Sequence, residues 1–143
     1  MKVKFFMLMT VLVYLQICSG CAGMSDWSYD LPNGYAIWHI SSRNIVCGKE
    51  DGESSLSQVT DKYVLEFCYD EQYIGLKCID DYDDYSQGQD TVVSYYLIDA
   101  VNDQVNASMT ESEYIEMSDM VAFTKSKEWI PTKLSPENAV YPE

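Results

Sequence analysis

Side chains able to do chemistry are few in this chain. His39 is the only histidine, so a Ser-His-Asp relay would have to run through it, yet it stands between Trp38 and Ile40 in a strand-like stretch and no nucleophile motif accompanies it. Cys47, Cys68, Cys78 and His39 make four possible ligands for zinc, but no two are spaced as a knuckle. Asp80, Asp81, Asp83 and Asp84 supply the hard oxygens that calcium prefers; Tyr85 and Ser86 stand where an EF-hand loop has its third acid and its glycine. With 23 Asp and Glu, a glycosidase acid-base pair can be assembled by counting, although no spacing singles one out. The expectation is therefore no catalytic residue, no metal and no cofactor, with Asp80, Asp81, Asp83 and Asp84 as a surface for a partner or an ion.

The elements that would carry these groups centre on Asp61 to Asp80. A two-residue turn at Glu71 and Gln72 sets Asp70 against Tyr73, and the two-residue side-chain period then fixes every later pair. One face gathers Leu65, Phe67 and Tyr69 against Cys78, Leu76 and Ile74. The other puts Glu66 opposite Lys77, a cross-strand pair of about 0.2–1 kcal/mol, and Cys68 opposite Gly75. In this register Cys68 and Cys78 lie on opposite faces and cannot bridge. Three cysteines are an odd number, and three buried thiols are expected, with Cys47 to either partner the remaining disulfide option.

Around this hairpin, Tyr35 to Ile40 and Ile45 to Lys49 read as strands joined by a turn, and Glu50 to Ser57 as a loop. Asp81 to Asp90 reads as an acidic loop. Thr91 to Ala100 and Gln104 to Ala107 give two further strands, about six in all. One helix is well marked: Thr110 and Glu113 form a capping box, Met109 and Tyr114 occupy staple positions, and Tyr114, Met117 and Val121 share one face. Trp129-Ile130-Pro131 is expected to dock on a sheet edge, with residues 133–143 as a frayed tail. The predicted fold is α+β, an antiparallel meander-like sheet with one C-terminal helix packed on it.

Residues 1–20 have the plan of an export signal, with Lys2 and Lys4, an apolar run from Phe5 to Leu15 and small residues before Cys21. The run is shorter than the roughly 20 residues of a spanning helix. Ser19-Gly20-Cys21 resembles the lipobox of bacterial lipoproteins, although Cys18 stands where that pattern has leucine. The resemblance implies cleavage before Cys21, acylation of its thiol and tethering to a membrane in the cell envelope, with 21–29 as a tether and 30–132 as the domain. A plain secretory signal, cut near Gly20 or Gly23, is the other reading.

Net charge is −14 and becomes more negative once Lys2 and Lys4 leave. That argues against nucleic acid and anionic lipid as partners, both of which need a basic patch, and is compatible with a basic protein partner or with simple solubility. An apolar content of 47% with twelve tyrosines belongs to a folded domain.

The runs YDLPNGYAIWHISSRNIVCGK, DKYVLEFCYDEQYIGL, YYLIDAVNDQV and TESEYIEM resemble a family of small bacterial lipoproteins of unknown function, across most of residues 26–121. The resemblance implies an envelope location and an α+β fold, and carries no catalytic residues. The expected role is a non-enzymatic binding module anchored by lipid. An inhibitor or immunity-type protein against a basic enzyme or toxin, and an envelope hydrolase, are the alternatives.

Overall fold

The computed structural model describes residues 26–50, 56–123, 128–133 and 136–140. In chain order the elements are β1 (Trp27–Asp30), a 3-10 turn (Pro32–Gly34), β2 (Tyr35–Ser41), β3 (Asn44–Glu50), β4 (Leu56–Gln58), β5 (Tyr63–Tyr69) and β6 (Tyr73–Ile79). There follow α1 (Tyr82–Ser86), β7 (Val93–Asp99), β8 (Gln104–Met109), α2 (Glu111–Met120) and β9 (Ile130–Pro131). The fold is α+β with antiparallel pairing, as expected. The strands divide into two sheets, ordered β1-β2-β3-β4 and β8-β7-β6-β5-β9, where the sequence reading had about six strands in one.

The two sheets face each other across the main core. Tyr29, Ile37, Ile45 and Cys47 from the first meet Val64, Phe67, Leu76, Cys78 and Ile98 from the second. Tyr29 packs edge-on to Phe67 at 4.9 Å, and its hydroxyl lies 2.9 Å from that of Tyr69. At one end of the sandwich, Tyr35 donates to Asp103 at 3.1 Å, and Lys49 pairs with the same carboxylate. A third layer, α2, covers part of the outer face of the five-stranded sheet, burying Tyr114 with Cys68, Tyr95, Leu97 and Phe123.

The central hairpin has the expected turn and most of the expected register: Glu66 opposes Lys77, Phe67 opposes Leu76, and Cys68 opposes Gly75. One pair is corrected. Val64, and not Leu65, sits opposite Cys78, because the register shifts between Val64 and Glu66. The bulge brings Val64 fully into the core. It also turns the Leu65 carbonyl to the C-terminal segment, where it accepts from the Thr132 amide at 2.9 Å. Thr132, itself buried, donates its hydroxyl to the Val64 carbonyl at 2.6 Å. That pins β9 to β5, the edge docking expected of Trp129 to Pro131.

Four other expectations change. The acidic stretch after Asp80 contains α1, because Asp81 accepts the amides of Asp83 and Asp84 at 2.7 and 3.1 Å and the acids of the first turn suit the helix dipole. Trp27–Asp30 and Leu56–Gln58 form edge strands in stretches read as tether and loop. Val140, in the stretch read as a frayed tail, bridges Ser28 through two backbone hydrogen bonds of 2.8 and 2.7 Å, using the free edge of β1. The α2 capping box is as predicted: Thr110 accepts from the Glu113 amide at 3.4 Å, and Glu113 accepts from the Thr110 amide at 2.8 Å.

Candidate binding groove

The outer face of the five-stranded sheet is only partly covered by α2. Strand alternation sends Glu66, Lys77 and Tyr95 to that face, and the antiparallel register brings Lys77 Nζ to 3.2 Å from Glu66 Oε2. This pair lies between two hollows and lines both. On one side a cavity of about 390 Å³ has Tyr95, Glu111, Tyr114 and Trp129 in its wall. On the other, about 270 Å³ is bounded by Tyr63, Tyr82, Tyr85 and Lys133.

Both walls are aromatic. Tyr95 and Tyr114 lie 5.3 Å apart, and Trp129 stands 6.3 Å from the first and 5.8 Å from the second. Across the ion pair, Tyr63 stacks on Tyr82 at 4.5 Å. Burial alone would pull the Lys77 ammonium down, but its hydrogen bond to Glu66 and the nearby charges of Glu66, Tyr95 and Tyr85 leave it above the ordinary lysine value. Burial raises the Tyr95 hydroxyl; Lys77 opposes and Glu111 reinforces the shift. The Tyr114 hydroxyl, 3.8 Å from Cys68 Sγ, is raised by burial and then by that thiol. Trp129 on one side and Tyr82 and Tyr85 on the other are the rings left accessible to an aromatic or cationic side chain, and the half-exposed ion pair between them can accept a polar group of either sign.

Residues singled out from the sequence lie mostly elsewhere. Cys21 is outside the described residues. Asp80 pairs with Lys62 at 2.7 Å, and Asp83 with Arg43 at 3.1 Å; Asp81 caps α1, and Asp84 lies in its first turn. Among the described residues, no three His, Cys, Asp or Glu side chains are grouped to hold a metal ion. His39, on β2, stacks on Trp27 at 5.4 Å, and its Nδ1 has no hydrogen-bond partner among the described residues. Cys47, Cys68 and Cys78 are all buried. Cys47 and Cys78 lie in the core between the sheets, and Cys68 lies under α2.

Sequence reading treated Glu66 and Lys77 as a register device and the aromatics as packing. The signal that could have found the groove was a charged pair on a face otherwise set to be covered.

Fold and groove together define a small α+β domain of two stacked antiparallel sheets, with a helix leaving an aromatic, ion-paired trough open on its outer side. The chain belongs to the family described as protein of unknown function (DUF3997), which it matches over residues 32–132. No curated protein matches it. No solved structure does either.

Proposed function

We propose that this protein is an exported lipoprotein, cut before Cys21 and held in the cell envelope by its acyl groups, whose domain binds a basic protein partner without transforming it. The observation that carries the binding reading is the groove: the half-buried Trp129 and the Glu66–Lys77 pair line a trough backed by the buried rings of Tyr95 and Tyr114, in a chain of net charge −14. Aromatic anchors dominate interface energetics, and long-range charge raises the rate of encounter with a cationic surface. The anchor reading rests on Ser19-Gly20-Cys21 behind an apolar export segment.

Two measurements test it. Intact mass of the membrane-fraction protein should show a lipid adduct that is absent from Cys21→Ala; an unmodified chain cut elsewhere would remove the anchor. A photo-crosslinking residue at Ile115, which lines the groove and is 44% exposed, should trap one basic protein in intact cells, with the yield falling as salt rises. The same label at Val92, exposed but away from the groove, should not. Equal yields at both positions would sink the groove as the contact surface. An inhibitor or immunity-type role is the case in which that partner is a single enzyme or toxin.

One observation favours a hydrolase instead, namely that Glu66 and Glu111 line the same cavity. Here Glu66 is bonded to Lys77, and turnover of an envelope polysaccharide that stops in Glu111→Gln would be needed to prefer that reading.

A further inference from the structure

The described chain starts at Asp26, beside a shallow cavity of about 510 Å³ formed with Trp27, Trp38, His39, Ile40 and Val140. Its rim is apolar and open: Ile40 is 50% and Val140 51% exposed. These two side chains come from β2 and from the C-terminal segment, which the bridge between Ser28 and Val140 holds against β1. Asp26 is five residues after Cys21, and five extended residues reach at most about 18 Å. A domain of this size has a radius of gyration near 13 Å. Five residues therefore keep this end of the sandwich within about 18 Å of whatever holds Cys21.

We infer that the Trp38–Ile40–Val140 surface rests in the interfacial zone of the bilayer that receives the acyl chains of Cys21; this builds on the lipoprotein reading above. Tryptophan suits that zone because its ring is apolar and its indole N–H can meet the headgroups. The strongly acidic chain would be repelled by anionic headgroups, so the surface fits zwitterionic lipid. Membrane contact at this end of the four-stranded sheet leaves the groove, on the outer side of the other sheet, facing away from the bilayer.

The test uses the full protein as purified from membranes, reconstituted in phosphatidylcholine vesicles with or without bromine on the acyl chains near the headgroup. The chain has three tryptophans, Trp27, Trp38 and Trp129, so emission reports position. Brominated lipid should quench part of the emission. Trp38→Phe should lose most of that quenching, Ile40→Ser should reduce it with the unfolding midpoint unchanged, and Trp129→Phe, in the groove, should retain it. Protein that carries the lipid adduct and floats with the vesicles but is not quenched would overturn the inference while leaving the anchor intact. Quenching that disappears in Trp129→Phe and survives in Trp38→Phe would overturn it too, by turning the groove to the membrane. A chain without adduct that stays out of the vesicles would overturn both readings, and its mass distinguishes that case from the others.

Discussion

Gly75 shows how closely one position can be constrained. A Cβ there would run into the Tyr114 hydroxyl and come within 2.9 Å of Cys68 Sγ, so the absence of a side chain lets α2 sit down on the sheet. Gly75→Ala should lift Tyr114 off Cys68 and cost about 1–3 kcal/mol, the usual range for overpacking, seen as a lower urea midpoint. The core thiols make a separate prediction. Burial pushes Cys78 from 9.0 up to about 12 and raises Cys47 further, so the folded state keeps protons that the unfolded chain releases. Stability from these groups is whole below pH 9 and falls as pH rises toward 12. Tyr35, Tyr63 and Tyr69, each pushed up to about 12 from 10.0, add to the loss above pH 10. Urea unfolding of Cys78→Val against pH should lack part of the decline that begins near 9; an unchanged profile would assign that decline to other groups.

Among the elements, those with self-contained signals were the ones the sequence disclosed. The α2 cap is written in Thr110 and Glu113, and Thr110→Ala should cost about 0.5–2 kcal/mol by thermal unfolding. The interaction of Glu113 with the Thr110 amide and hydroxyl lowers its pKa below the ordinary carboxylate value. Its contribution is present above the unfolded-state pKa and lost on acidification through the folded one, so Glu113→Ala should flatten the acid limb of the stability profile. The β5–β6 register was legible from Glu66 and Lys77, whereas the bulge at Leu65 was not, since it depends on Thr132 arriving from far along the chain. The strands WSYD and LSQ are too short to show a period. In α1, the cap at Asp81, two acids in the first turn and Gly88 at φ 74 form a helix signature, which the reading of the same carboxylates as an acidic loop passed over.

At the scale of the molecule, the unread feature was that hairpins alike in pattern would stack as two sheets. Local alternation specifies which side chains are apolar and leaves open which apolar face they meet. A hint lay in β7, where Tyr95, Tyr96, Leu97 and Ile98 are consecutive and all buried, the mark of a strand covered on both sides. The groove inherits the same difficulty, because its walls come from β7, α2 and the segment at Trp129, and its floor from β5 and β6. The bridge between Ser28 and Val140 adds a property of another kind, that of chain order. With the two ends of the fold at one sheet edge, a linker could join them and the chain could be reopened at Gly88, where the site of an added Cβ has no atom within 4 Å. Such a circular permutant should keep every strand pair within the two sheets, so the point at which an anchor is attached is separable from the architecture it holds.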